Sequence, residues 1–298
     1  MLHALLLFFA TLTLSAGCRA ESAAPAATTA RTSVADSVAD VRFQEVMDYA
    51  RQERLHERPM GEIVQAVGEQ FLGAPYVAGM LDEGKEEMLR APLDRFDCVL
   101  FIETALVLAQ GIAVEDYSYD GFLRRLEDVR YRDGAMDGYC SRLHYFSEWI
   151  RDNERRGHVQ NLTGELGGEP LGKTLDFMST HRASYPRFAE NDSLFQGIQV
   201  MELDLEGTDV RYIPQDRIRA VYSQLRAGDL VAFATHIDGL DVTHTGLVYA
   251  HEDGSKGLLH ASTSDGVTIA ADLQAYVENV KSQIGVVIIR PLDPRQEG

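Results

Sequence analysis

Near Gly207 the texture of the chain changes, and that change limits the folds open to it. Before it, apolar residues recur at helical spacing, as in Val41, Val46, Met47 and then Ile63, Val64, Val67, Phe71. After it come strand-like runs at 229–235, 244–250 and 257–261, separated by turn signals at Asp238-Gly239 and Asp253-Gly254. An extended piece at 210–214, a short helix at 221–225, short strands at 267–270 and 285–290, and a helix near 273–277 complete this half. Helices first and an antiparallel sheet later predict an α+β fold. No internal repeat is present.

The chain has 298 residues, 45% of them hydrophobic, enough for a substantial core. Its formal net charge of −18 gives no electrostatic footprint for nucleic acid and no attraction to anionic membrane surfaces. The three cysteines, Cys18, Cys98 and Cys140, form neither a CxxC pair nor a zinc-spaced cluster, so no structural metal is expected.

Residues 2–14 form an apolar run too short for a permanent membrane span, which fits the core of a signal peptide. Ser15-Ala16-Gly17-Cys18 follows and resembles a bacterial lipobox, although Ser15 replaces the usual large aliphatic residue. On this reading residues 1–18 are the export signal, Cys18 is lipidated, and the protein is a membrane-anchored lipoprotein facing the periplasm. An ordinary signal peptide is the alternative, and it too implies export. Residues 19–40, rich in Ala, Ser and Thr, read as a flexible tether.

Asp94 to Glu103 reads as a polar turn running into a helix with Cys98 in its first turn. Val99, Ile102, Leu106 and Ala109 then give that helix an apolar face, and it ends near Gly111. Unpaired N–H groups at a helix start favour a thiolate, the form that acts as a nucleophile. The same cysteine could serve as a small buried hydrophobe. A thiol nucleophile needs a base, and His244 and His260 lie on neighbouring strand-like runs where an antiparallel hairpin would make them cross-strand neighbours. Cys140 is expected to be buried and outside any disulfide.

Residues 114–207 read mainly as helix and loop. Within them, 141–150 reads as one helical segment with Leu143, Phe146 and Ile150 toward the core and Arg142 and Tyr145 on another side. Arg142, with the aromatics Tyr145 and Trp149, is either a surface charge beside half-buried rings or part of a ligand groove.

The runs Phe96-Asp97-Cys98, His244-Thr245-Gly246-Leu247-Val248-Tyr249 and Leu259-His260-Ala261-Ser262-Thr263-Ser264 resemble the three site motifs of the NlpC-type cysteine peptidase and amidase superfamily. Ala74-Pro75-Tyr76 matches the tyrosine that this superfamily often carries near its thiol. The resemblance implies a papain-like α+β fold, with Cys98 as nucleophile, His244 as general base and His260 as its orienter. Tyr131-Arg132-Asp133-Gly134, Ser141-Arg142-Leu143-His144-Tyr145 and Gly239-Leu240-Asp241-Val242-Thr243-His244 resemble the larger N-acetylmuramoyl-L-alanine amidase branch. That branch implies a catalytic domain at 41–298, with the insertion at about 114–207 capping the cleft. It also implies cleavage of the amide between the muramic lactyl group and L-Ala in cell-wall fragments, with no cofactor. Asp97, Tyr76, Arg142, His144, Tyr145, Trp149 and Asp241 are the candidate substrate-binding residues on this account. The site motifs equally fit an endopeptidase cutting between D-Glu and the diamino acid. A non-catalytic lipoprotein that binds muropeptides is the rival of another class.

Overall fold

The computed structural model describes residues 34–296, with side chains from Val41 onward. The export signal and Cys18 lie outside the described residues. Helix α1, Val34–Gln52, begins inside the stretch read as a tether. A single 3-10 turn at Leu55–Glu57 and Pro59 then separate it from α2, Met60–Glu69. Pro59 precedes the first helical residue, where its fixed φ suits a helix start.

The central element is α3, Cys98–Ala113. The sequence predicted one apolar face, but every residue from Leu100 to Ala113 is buried. The helix is enclosed on all sides, by α2, by α4 (Tyr119–Arg130) and by the sheet. Ser118 caps α4 by accepting a hydrogen bond from the Gly121 N–H at 3.1 Å.

The sheet has eight strands: β1 Val159–Asn161, β2 Glu169–Pro170, β3 Arg211–Pro214, β4 Leu230–Thr235, β5 Val242–Ala250, β6 Lys256–Ser262, β7 Gly266–Ala270 and β8 Gln283–Pro291. Their order is β2-β3-β8-β4-β5-β6-β7, with β1 on β8, and every pairing is antiparallel. The α+β reading therefore holds. One feature differs: β1 and β2 come from the 114–207 stretch, which is not purely helix and loop. Their ladders are three and two residue pairs long, too short to leave a strand pattern in the sequence.

One sheet face packs Leu230, Ala232, Leu247, Leu259 and Val287 against the helices. The other packs Val231, Phe233, Val248, Leu258 and Ile288 beneath α8 (Leu273–Glu278) and a 3-10 stretch at Gln215–Gln224. Period-2 alternation along β4, β6 and β8 sends successive residues to the two layers.

The 139–205 region holds a third, smaller core around Tyr139, Tyr145, Phe188, Ile198 and Met201. It includes α6, Phe177–Thr180, and α7, Asp192–Asp204. The predicted single helix over 141–150 is instead a 3-10 turn at Tyr139–Ser141, an extended link, and α5, Phe146–Arg155. Leu143, Phe146 and Ile150 are all buried, although Leu143 precedes the helix. Neither described cysteine forms a disulfide, and Cys140 is buried with its thiol donating to the Leu194 carbonyl at 3.8 Å.

The 114–207 stretch is bonded to α3 through a buried carboxylate. Glu103 Oε2 accepts from Arg130 Nε at 2.8 Å, and Glu103 Oε1 accepts from the Trp149 indole N–H at 3.1 Å. Both side chains of the ion pair are at most 2% exposed. Arg130 also donates to the Arg90 carbonyl at 2.6 Å, reaching the loop that leads into α3. Removing one member of such a pair strands the other as an uncompensated buried charge. Glu103→Ala should therefore cost about 3–5 kcal/mol. That corresponds to a midpoint roughly 10 °C lower in calorimetry for a domain this size. An unchanged melting temperature would show that the stretch is held by other means.

Candidate active site

Cys98 is the first residue of α3, and Asp97 is its N-cap. Asp97 Oδ1 accepts from the Leu100 N–H at 2.8 Å, which satisfies one of the four orphan donors of the first turn. The thiol therefore sits beside a capped, positively polarised helix end, as the sequence suggested. Burial outweighs that dipole. Desolvation first, then the Asp97 charge, pushes the Cys98 thiol up to about 11, while hydrogen bonds from Thr245 pull weakly the other way. Asp97 is itself raised, chiefly by burial.

Strand β5 reaches the thiol through Thr245, whose hydroxyl donates to the Cys98 carbonyl at 2.8 Å. Ala232 pairs with Thr245 and Ala234 with Val242, so β5 gains a residue on β4 in this interval. A bulge of this kind bends a strand and re-aims a side chain. His244 lies inside it.

His244 Nε2 and His260 Nδ1 are 2.7 Å apart. They are not direct cross-strand partners. Continuing the register of Leu247 with Leu259 by one residue sets Gly246 opposite His260, so His244 meets His260 on the diagonal. Gly246 makes room for this: a Cβ there would lie 3.0 Å from His260 Cβ and 2.6 Å from Leu258 Cδ1. Burial lowers His244 to about 3 and His260 to about 4, the latter opposed by the Asp265 charge. Both imidazoles are thus neutral at physiological pH. In a neutral pair one nitrogen donates and the other accepts. If His244 Nε2 carries the proton, its Nδ1 lone pair is left for a proton acceptor's work.

Tyr76 joins from the loop before α3. Its segment bridges to Phe96, with Val77 N–H donating to the Phe96 carbonyl and Phe96 N–H to that of Pro75, each at 3.0 Å. Val267 N–H ties the same loop to β7 through the Ala74 carbonyl at 2.8 Å. Burial, then the charges of Cys98 and Asp97, raises the Tyr76 phenol to about 12. Among the sequence candidates, then, Cys98, Asp97, Tyr76, His244 and His260 are brought to one place.

The other candidate substrate-binding residues make contacts within the chain. Trp149 is 1% exposed, stacks on Phe146 at 5.0 Å and donates to Glu103. Tyr145 is buried between Glu202, to which it donates at 2.8 Å, and the Met178 N–H it accepts at 3.0 Å. Arg142 is buried against Asp82 and the Leu81 carbonyl. His144 bonds the Tyr139 carbonyl through Nε2 at 2.8 Å, and burial holds its proton affinity low. Asp241 accepts from the Ser147 N–H at 2.7 Å and so caps α5 from a distant part of the chain.

Sequence reasoning assigned no role to Thr245, Gly246 or Tyr276. The first two lie inside the quoted His244 run, where a glycine interrupting a strand signals close approach. Tyr276 carried no signal, because its place beside the imidazoles depends on how α8 packs.

The sequence matches the AmiA-like, N-acetylmuramoyl-L-alanine amidase-like family over residues 66–286. The chain belongs to this amidase-like family. Two crystal structures of an N-acetylmuramoyl-L-alanine amidase from Bacteroides uniformis are similar at 30% identity. One has a TM-score of 0.73 and covers 78% of this chain and 99% of its own; the other has 0.72, 78% and 98%. A Bacteroides fragilis structure described as a xylanase candidate is 33% identical, with a TM-score of 0.68 and coverage of 75% and 98%. A search of curated proteins finds no match.

The glycine between the two histidines offers a direct test of the diagonal arrangement. Gly246→Ala forces His260 and Leu258 to move and should destabilise the amidase-like protein by about 1–3 kcal/mol. Denaturant titration should show a lower midpoint with an unchanged slope. A variant as stable as the parent would mean that the glycine is not needed for the His244–His260 contact.

Proposed function

We propose that this protein is a cysteine amidase that cleaves the bond between the muramic lactyl group and L-Ala in cell-wall fragments. Membership of the amidase-like family and the relatives bearing that name support the bond. The 2.7 Å contact between His244 and His260, with Thr245 next to it bonded at Cys98, carries the chemistry. The NlpC-type, papain-like assignment belongs to the same proposal.

Each group has one task. His244 Nδ1 takes the Cys98 proton as the sulfur attacks the lactyl carbonyl carbon. Thiol and imidazole are both neutral at rest, so proton transfer accompanies attack rather than preceding it. The Cys98 N–H, unpaired within its helix, holds the developing oxyanion. His260 accepts the His244 Nε2–H and fixes the tautomer, as the third member of a triad does. The tetrahedral intermediate collapses, and His244 returns the proton to the L-Ala nitrogen as it leaves. Water, deprotonated by His244, then attacks the thioester and frees the muramic carboxylate and the thiol. Tyr76 and Asp97 flank the thiol and face the incoming peptide.

The name xylanase on one relative does not fit this arrangement. Glycoside hydrolysis is ordinarily run by two carboxylates across the scissile bond. Asp97 caps its helix through Oδ1, and the reacting groups of this proposal are a thiol and two imidazoles. In the cell, the protein is exported and tethered by lipid on Cys18, facing the periplasm.

The test is mass spectrometry of anhydro-muropeptides incubated with the protein and with Cys98→Ala. Free peptide beginning at L-Ala is expected, with turnover at least about 1,000-fold lower in the variant. A cut between D-Glu and the diamino acid would transfer the site to an endopeptidase; fragments retained without cleavage would make it a binding module. The pH profile adds an independent check. His244 must be neutral to act as base, and its proton affinity is lowered, so activity falls only as pH drops through the lowered value. The acid limb of kcat/KM should lie below about pH 5 rather than at the ordinary histidine value near 6.5.

A further inference from the structure

We propose that Tyr276 is a positioning residue for the thiol–imidazole site: its ring closes the His244–His260 hydrogen bond off from water and holds the two imidazoles at their working angle. This rests on the reading of Cys98, His244 and His260 as the reacting groups.

The geometry is an aromatic enclosure. The Tyr276 ring meets the His260 ring edge-on, at 4.7 Å between centroids and 70° between planes. It lies 6.2 Å from the His244 ring. Phe233 completes the enclosure, stacked on His244 at 5.5 Å and 5.4 Å from Tyr276. The imidazoles themselves cross at 85°, an angle that the two flanking rings fix from opposite partners. Edge-to-face contacts of this kind are favourable in themselves and direction-sensitive.

The element that presents Tyr276 is short and externally braced. Leu273 and Val277 of α8 are buried in the outer layer of the sheet. Asp272 caps the helix by accepting from the Ala275 N–H at 2.8 Å. Tyr222, from the 3-10 stretch, donates to Asp272 at 3.2 Å and accepts from the Gln274 N–H at 2.8 Å. Six helical residues could not hold a ring in place unaided. With this bracing the ring is set by tertiary contacts.

The consequence is electrostatic. A hydrogen bond shielded from water is stronger, and a desolvated imidazole resists protonation. The charged or titratable groups near the pair are Cys98 from α3, Asp265 from the β6–β7 turn and Tyr276 itself. Of these, Asp265 alone favours the imidazolium. Opening the enclosure to water would therefore let the pair protonate at a higher pH.

The experiment is ¹⁵N NMR of histidine-labelled full-length protein through an acid titration, comparing the parent with Tyr276→Ala and Tyr276→Phe. In the parent, His244 and His260 should keep the neutral nitrogen pattern at about pH 5. Tyr276→Ala should raise their proton affinity about tenfold or more, moving both midpoints up by about one pH unit. Tyr276→Phe should keep the parent midpoints, because the ring and not the hydroxyl does the shielding. Unchanged midpoints in Tyr276→Ala would overturn the proposal, and so would a shift in Tyr276→Phe as large as in Tyr276→Ala. Should Tyr276→Ala lose its near-UV circular dichroism, Tyr276→Leu, which keeps apolar bulk on α8, takes its place with the same expected direction. Muropeptide turnover does not enter this readout. Failure of the amidase reading would show as intact titrations without product, whereas failure of this one shows in the titrations themselves.

Discussion

A single carboxylate buried in the middle of α3 makes the architecture conditional. Glu103 sits among apolar side chains and is accommodated there by Arg130 and Trp149, which reach it from two separate elements. Those contacts join the Cys98 helix to α4 and α5 on one side and, through Arg130, to the loop carrying Arg90 on the other. The site lies a little over one turn away along the same helix. An interaction of this kind adds little net stability compared with a well-packed apolar core, but losing one partner is costly.

The site applies the same trade at smaller scale. Burial pushes the thiol up and both imidazoles down, so the resting groups are neutral and the ion pair is not stored in advance. The charge separation needed for attack has to be created with substrate in place. Hydrogen bonds from Thr245 to Cys98 and between His244 and His260 are then placed to stabilise the charges that form. A β-bulge, a glycine and two aromatic rings serve that arrangement, and each is a packing feature rather than a chemical one.

The 114–207 stretch shows where residue chemistry alone leaves a role open. Arg142, His144, Tyr145, Trp149 and Asp241 have the side chains that a ligand groove would use, and the resemblance implied that they were such a groove. In the folded protein they are bonded to other parts of the chain: Asp241 caps α5, Tyr145 bonds Glu202, and Arg142 is fixed against Asp82. A polar or aromatic side chain reads the same in sequence whether its partner is a ligand or a distant part of the chain. Burial separates the two cases, and burial is a property of the packed structure.

By itself, the sequence determined the α+β class, the helix that starts at Cys98, the hairpin strands bearing His244 and His260, and through its motifs the amidase-like family. The elements follow from local periodicity and turn chemistry, which act over a few residues and survive in the linear pattern, and the family from the resemblance of short motifs. Only the tertiary structure decided that α3 is enclosed on every side, that β1 and β2 leave the 114–207 stretch to join the sheet, and that the imidazoles meet across Gly246 on a diagonal. It alone placed Tyr276 over that contact. Each of these depends on register, on a bulge, or on the packing of an element far away in the chain. A one-residue change in any of them reverses which face a side chain occupies.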